Sequence, residues 1–445
     1  MRATADPLDW LARFDHSLIK PGLERIHRIL DGWGRPQEAL RAVHLAGTNG
    51  KGSTAAMVAS MLQAAGYRVG LYTSPHLHTV RERMRIDGEP IGEPLLAELA
   101  DELRVLLHRL NASSWPESPT YFECTTAIAF AHFARASVDW AVIETGLGGR
   151  FDATNVVRPS ATLLTPIDYD HQHVLGRTLT SIAWEKAGIC KPGAPVIVAP
   201  QPPEAMRVIE REAGLVNAPM IRCGVEFSYD ATADGRAVYR DGRRTLTLTS
   251  PLPGRHQLMN AAMATAAVLH LRDAGAKITD AQLAAGLAAV RWEGRLERLQ
   301  ERPAVWLDGA HNPAAARVLA EFLAEEKARR GGSLTVIFGI MRDKAAADVV
   351  AALRPVADRW IVTAPETPRA LPVEQLADIV RGAGVSPAVI ADPALALADT
   401  LPRLSDRDLC CVTGSFYTVA AARAWWAGSH HRPTGSLVAA EPSGA

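Results

Sequence analysis

Short apolar runs alternate along this chain with longer, alanine-rich stretches whose apolar positions recur at helical spacing. Val43–Ala46, Trp140–Ile143, Ala161–Thr165 and Pro195–Ala199 are brief and unbroken, as buried central strands are. Thr54–Ala65, Pro94–Leu110 and Thr125–Ala136 between them carry helical patterns. Strands with no wet face predict a mainly parallel sheet covered by helices on both sides. Around Val225–Thr249 the pattern alternates with period two, and Asp241-Gly242 is a hairpin signal, so a small antiparallel accessory sheet is expected there. A second strand–helix series has its strands at Ala304–Leu307, Leu334–Phe338, Arg359–Thr363, Pro387–Ile390 and Asp408–Thr413. The boundary is placed near Arg298–Pro303, between a polar helix end and the new strand. Beyond Trp426 the Gly, Ser, Pro and His content predicts a loose tail. The expected organisation is therefore α/β throughout, with domains over 1–300 and 301–428 and a flexible tail over 429–445.

Composition narrows the function. A chain of 445 residues implies two or three domains. Its 48 Lys and Arg balance 48 Asp and Glu, so a global attraction for nucleic acid or an anionic membrane has no support. Basic charge is nearly all arginine, and Lys20, Lys51, Lys186, Lys191, Lys277, Lys327 and Lys344 are the only lysines. The five scattered cysteines argue against a disulfide framework or structural zinc and for a reducing compartment. The first residues lack the apolar core of a signal peptide, and no stretch approaches the roughly 20 apolar residues of a membrane span. A soluble, cytoplasmic monomer acting on small molecules is the expectation.

The strongest local signal is Gly47-Thr48-Asn49-Gly50-Lys51-Gly52-Ser53-Thr54, between the strand Val43–Ala46 and a helical segment. Backbone N–H groups of such a loop, with the helix N-terminus, form a concave donor array suited to phosphate oxygens. Lys51 would place positive charge at the β- and γ-phosphates, and Ser53 or Thr54 could offer a hydroxyl to Mg2+ or phosphate. The spacing departs from G-x-x-x-x-G-K-S/T, since Gly47 and Gly50 are separated by two residues and Gly52 follows Lys51. Glu144 ends the strand Trp140–Ile143, where doubly wound sheets put ligands, and beside a phosphate loop it suits a hard oxygen ligand for Mg2+.

Further motifs follow in order: Thr73-Ser-Pro-His76, Thr120-Tyr-Phe-Glu123, Glu144-Thr-Gly-Leu-Gly-Gly-Arg-Phe-Asp152, Asp170-His171, Glu185-Lys-Ala-Gly188, Gly254-Arg-His-Gln-Leu-Met-Asn260, Gly294-Arg-Leu-Glu297 and Asp308-Gly-Ala-His-Asn312. With the glycine loop, they resemble the folylpolyglutamate synthase/dihydrofolate synthase family, in its bifunctional bacterial type, within the Mur-type amide ligases. The resemblance spans roughly residues 14–425. It implies a P-loop NTPase-like ATP-binding domain carrying a pterin site, followed by a Rossmann-like domain.

From the residues alone, Ser74 reads as a strand-end turn, His171 as a packed or exposed side chain and Lys186 as an ordinary helical lysine. The resemblance implies instead that Ser74 is a magnesium ligand, that His171 binds a second Mg2+, and that Lys186 is carbamylated by CO2. Carbamylation needs a neutral amine, which burial favours. Thr120 and Glu123 have capping-box spacing, and the resemblance adds that Thr120, Tyr121, Phe122, Glu123, Phe151, Asp152 and Ala153 line a pterin-containing substrate site, with Lys20–Arg25 nearby. It assigns Asn260, Arg295 and Asp308 to the nucleotide, Asp308 from across the domain gap, with His311 close by. Arg342-Asp-Lys344 and Gly414–Tyr417 also fit its motifs, without assigned chemistry.

The implied reaction is ATP-dependent ligation of L-glutamate to dihydropteroate and to reduced folates through an acyl phosphate, with Lys51, Lys186 and His171 at the chemical centre. Alternatives are a monofunctional folylpolyglutamate synthase, another Mur-type ligase, or a nucleotide-controlled switch. The second would need a UDP-recognition domain, for which the 46 residues before Gly47 are too few. The third leaves Ser74, Glu144, His171 and Lys186 unexplained.

Overall fold

The computed structural model describes residues 6–14, 20–232 and 234–430. Its first eight strands are β1 (Ala42–Ala46), β2 (Val69–Tyr72), β3 (Met84–Ile86), β4 (Glu89–Pro90), β5 (Trp140–Glu144), β6 (Pro159–Leu164), β7 (Val196–Val198) and β8 (Met220–Arg222). They form one sheet in the order β4-β3-β2-β5-β1-β6-β7-β8. The six strands from β2 to β8 run parallel, and β3 and β4 add an antiparallel edge.

Alternation within the central strands divides two cores. Val43, Leu45, Val69, Leu71 and Val142 pack with the helices Lys51–Ala64, Arg255–Asp273 and Asp280–Ala289. Ala42, Tyr72, Ala141 and Ile143 pack on the other side with the helices Glu24–Gly32, Glu93–Arg109 and Tyr121–Arg135. Both faces are dry, which is why these strands read as unbroken apolar runs.

The expected accessory sheet is β9 (Ser228–Ala231), β10 (Ala237–Arg240) and β11 (Thr245–Leu248), antiparallel, with Asp241-Gly242 joining the last two. A third sheet contains β12 (Glu297–Gln300), β13 (Ala304–Leu307), β14 (Leu334–Phe338), β15 (Arg359–Val362), β16 (Ala388–Val389) and β17 (Leu409–Thr413) in the order β12-β13-β17-β14-β15-β16. All its pairings are parallel except β12–β13.

Three expectations are corrected. Arg298 lies in a strand of the third sheet, not at a polar helix end, because β12 folds back as an antiparallel partner of β13. The loop helix begins at Lys51 rather than Thr54, so Lys51, Gly52 and Ser53 form its first turn. The last helix, Phe416–His430, runs past Trp426; the rest of the expected tail, 431–445, lies outside the described residues. Among the described residues no helix is long and apolar enough to cross a membrane.

The loop helix is locked from behind by Asp280–Ala289. Ser60 Oγ donates to the Gly286 carbonyl at 2.6 Å, and a Cβ on Gly286 would lie 2.5 Å from Met61 Cα and 2.6 Å from the Ser60 carbonyl oxygen. Gly286→Ala must therefore separate the two helices. It should lower stability by about 1–3 kcal/mol, read as a lower denaturant midpoint.

Candidate active site

The carboxyl ends of β1, β5, β6 and β2 meet where the strand order reverses, β1 leading to β2 on one side and β6 to β7 on the other, the position at which open parallel sheets bind ligands. Gly47 follows β1 with φ +150°, and an added Cβ would sit 1.9 Å from Thr165 Oγ1. Thr48 Oγ1 donates to the Asp168 carbonyl and accepts from its N–H, both at 3.0 Å, which fixes the loop to the segment after β6. Gly50 is the N-cap of the helix Lys51–Ala64 with φ +87°, and no side chain caps that end. The first helical amides are thus left for an external acceptor.

Two lysines point at the same atom. Lys51 Nζ donates to the Gly47 carbonyl at 3.0 Å, and buried Lys186, from the helix Leu179–Ala187, donates to it at 2.8 Å. Burial, then the charge of Lys51, pulls the Lys186 ammonium down to about 7. Glu144 lies with one oxygen 4.0 Å from Lys51 Nζ, while the other accepts the Ser74 N–H at 3.2 Å. Burial raises the Glu144 carboxyl above its ordinary value, opposed by Lys51. Lys51, Ser74, Glu144, His171 and Lys186 all line one cavity of about 100 Å³.

His171 follows Asp170 in left-handed conformation, with φ +49°. Its buried Nδ1 has no hydrogen-bond partner, and burial, with the cations around it, lowers its pKa to about 3. Among the described residues no three His, Cys, Asp or Glu side chains form a metal-binding group. The donors fit ions held by one carboxylate, a hydroxyl or an imidazole, completed by phosphate oxygens and water, the habit of Mg2+ rather than of a metal in an all-protein cage.

A polar seam joins this sheet to the third one. Asn49 and Asn312 exchange amide hydrogen bonds at 3.3 and 3.0 Å, and Asn312 also caps the helix Pro313–Arg330. Asp170 accepts from Lys344 Nζ at 2.6 Å and from Asn312 Nδ2 at 3.2 Å, with His311 Nε2 3.5 Å away. Burial would raise the Asp170 carboxyl, but the hydrogen bond and charge of His311 and the Lys344 ammonium hold it well below the usual carboxylate range.

On one side of the seam is a cavity of about 300 Å³ lined by Asn49, Gly50, Gly52, Ser53, Asn260, Arg295 and Asp308. Asn260 donates to Gln257 at 2.9 Å, while its buried Oδ1 has no partner, a site suited to an incoming N–H or amino group. Gln257 in turn donates to Ser53 Oγ. Half-buried Arg295 stacks 4.2 Å from the centre of the Phe416 ring. Asp308 accepts the N–H groups of Leu296 and Ala310 at 2.8 and 2.9 Å, so it braces the junction as well as lining the cavity.

On the other side is a cleft of about 630 Å³ lined by Thr120, Phe122, Glu123, Phe151, Asp152, Ala153 and segments of the third sheet, His311 among them. Thr120 and Glu123 form the expected capping box, and Arg25 Nε binds Glu123 at 2.9 Å. Tyr121 is buried beside Arg83, whose Cζ lies 5.5 Å from the centre of its ring. Asp152 accepts the Gly146 and Leu147 N–H groups and both donors of Thr154, and Thr154 is itself bonded to buried His44 at 2.8 Å. The Asp152 carboxylate is thus occupied in shaping the 146–152 loop. Sequence reasoning left Lys344 and Asp170 without roles and passed over His44 and Gln257; the scarcity of lysine was the one signal for Lys344.

Two family descriptions match: the Mur ligase middle domain over residues 45–268 and the Mur ligase glutamate ligase domain over 294–416. Fold and site together define an ATP-dependent amide ligase of the Mur type. The chain is 36% identical over 421 residues to the dihydrofolate synthase/folylpolyglutamate synthase of Bacillus subtilis, covering 91% of this chain and 95% of that one. It superposes on E. coli FolC in complex with DHPP and ADP with TM-score 0.85 and 33% identity, covering 95% and 97% of the two chains. The Yersinia pestis bifunctional enzyme complexed with AMPPNP and Mn ion gives 0.83 and 33%, covering 94% and 96%. This chain belongs to the dihydrofolate synthase/folylpolyglutamate synthase family.

Gly50 offers a direct test of the loop. Gly50→Ala would force a side chain into left-handed φ and to within 2.6 Å of Asn260 Oδ1. At about 1–2 kcal/mol for the backbone alone, ADP affinity measured by calorimetry should fall about tenfold or more.

Proposed function

We propose that this enzyme ligates L-glutamate to dihydropteroate, forming dihydrofolate, and to reduced folates, forming folylpolyglutamates, with the nucleotide and acceptor sites on either side of one charged seam. ATP-dependent glutamate ligation in folate metabolism is the family activity. The observation that carries the residue assignment is the small cavity of Lys51, Ser74, Glu144, His171 and Lys186, which shares lining residues with both larger cavities. A cytoplasmic monomer fits this reading.

The 300 Å³ cavity would take the nucleoside part of ATP, with Asn260 free to accept a hydrogen bond and Arg295 directed toward phosphate. The loop amides and Lys51 hold the phosphates. The acceptor ring would lie in the larger cleft among Thr120, Phe122, Phe151 and Ala153, which offer apolar walls and few oriented polar groups. The acceptor carboxylate attacks the γ-phosphorus and ADP departs. The glutamate amine then attacks the acyl carbon, phosphate departs, and one proton is released. Lys51 and Arg295 stabilise charge developing on the phosphoryl oxygens. The seam between the sheets keeps water from the acyl phosphate.

Ser74 with Glu144, and His171, would hold divalent metal at two sites, and metal bound there would supply further positive charge to those oxygens. Carbamylated Lys186 would turn a second cation at Gly47 into an anion beside His171. Burial lowers the Lys186 pKa to about 7, so the neutral amine that carbamylation needs becomes populated through neutral pH.

Two experiments test the reading. ADP release should require both L-glutamate and a pterin acceptor, and dihydropteroate and tetrahydrofolate assayed in parallel should both give glutamylated product. Activity on one alone removes bifunctionality, and product without ADP removes the mechanism. With 13C-bicarbonate, a carbamate resonance should appear and grow at fixed CO2 between about pH 6 and pH 8, because the ammonium must first lose its proton. Lys186→Gln should abolish that resonance and lower kcat about 10- to 100-fold. A resonance that survives the substitution refutes the assignment.

A further inference from the structure

Arg342, left without chemistry by the sequence motif, occupies the rim of the acceptor cleft with a second arginine. The segments after β14 and β15 lie side by side there. Leu371 N–H donates to the Ile340 carbonyl at 2.9 Å, Met341 and Ala370 form an antiparallel bridge, and Arg342 N–H donates to the Arg369 carbonyl at 3.0 Å. Arg342 Nε donates to the Ala370 carbonyl at 2.9 Å, which fixes the guanidinium while leaving its terminal nitrogens without an ion pair among the described residues. Among the described residues the Arg369 guanidinium pairs with Asp343 alone, at 3.4 Å. Both arginines line the 630 Å³ cleft, and Arg342 is exposed.

Several other charges of this cleft meet a partner, and Lys20 and Arg83 line it as well, Arg83 Nε donating to His76 Nδ1 at 2.9 Å. Glu123 is bound by Arg25, Asp152 by backbone amides and Lys344 by Asp170, while Glu185 lies beside Arg150 and Lys186. Two adjacent planar forks, one without an ion pair and one in a 3.4 Å contact with Asp343, are what carboxylates along a flexible chain require. A reduced folate that has gained several glutamates carries one α-carboxylate per internal residue, and this surplus chain must leave the cleft. Dihydropteroate carries none.

We propose that Arg342 and Arg369 form a rail that binds the internal α-carboxylates of an oligo-γ-glutamyl tail on the acceptor. The inference rests on the folate-ligase reading above and extends it to tail length.

The test compares wild type with Arg342→Gln, Arg369→Gln and the double variant on dihydropteroate, monoglutamyl and triglutamyl tetrahydrofolate. KM for the triglutamyl acceptor should rise about tenfold per arginine lost, KM for the monoglutamyl acceptor less, and the L-glutamate KM measured with dihydropteroate should stay within about twofold. Arg369→Gln removes only the 3.4 Å contact with Asp343 and no bond to the backbone, so it disturbs the 342 loop less than Arg342→Gln, which loses the bond to the Ala370 carbonyl. A rise equal for all acceptors overturns the rail, as does a rise confined to L-glutamate, which would give the pair to the incoming amino acid. Calorimetric titration with a γ-linked tetraglutamate peptide reads the rail without turnover. Binding by wild type that is lost in the double variant supports it, and equal or absent binding overturns it. Absence of glutamate-dependent ADP release in the wild type would instead count against the ligase reading itself.

Discussion

The Gly47 carbonyl accepts hydrogen bonds from two lysines, and the chemistry of the site depends on that sharing. Lys51 and Lys186 bring two ammonium groups to one oxygen within buried surroundings. Two full positive charges cannot be held there cheaply, because desolvation removes the water that would screen them. One relief is to lose a proton, and burial lowers the pKa of both lysines, that of Lys186 to about 7. The other is to import negative charge. A phosphate chain along the loop would answer Lys51, and a carbamate on Lys186 would reverse the sign of the second group. Electrostatics alone therefore favours anionic ligands at the loop and the carbamylation proposed for Lys186.

The backbone enforces the sharing. Gly47 is hemmed in by Thr165, Gly50 by Asn260 and Gly52 by Trp292 and Glu144, so the loop has little freedom to turn its carbonyl elsewhere. β1 at the centre of the parallel sheet brings β5 and β6 to its two sides, and the register pairs Leu45 with both Glu144 and Leu163. Glu144 and the segment leading to Asp170 are thereby delivered to the same end of the sheet. A displaced β1 would scatter all three.

That geometry was partly legible in the chain. Buried strands announce themselves as apolar runs, and the glycine loop sits directly between such a run and a helix, so Lys51 and Glu144 could be placed at strand ends before any contact was known. β3, β4 and β8 could not, since two or three residues are too few for a period to be counted. Lys344 and Asp170 escaped notice for a different reason. They are 174 residues apart, and nothing local to either shows that they pair. His44 is similar: within an apolar strand it reads as an interruption, and only its bond to Thr154 reveals that it supports Asp152.

The two central carboxylates then differ in a way that orders events. Asp170 is held ionised by Lys344 and His311, so the bond between the two halves needs no ligand and survives changes of pH near neutrality. Glu144 faces the opposite bias. Burial pushes its carboxyl up, opposed first by Lys51, at 4.0 Å, and then by the Ser74 N–H and Arg295. Its negative charge is completed by whatever positive charge arrives with the phosphates, as expected of a carboxylate at a metal–phosphate centre. The bond that joins the two halves is thus carried by the protein's own charges, while Glu144 sits at the reacting end with burial working against its negative charge, where a cation bound with the phosphates would stabilise it.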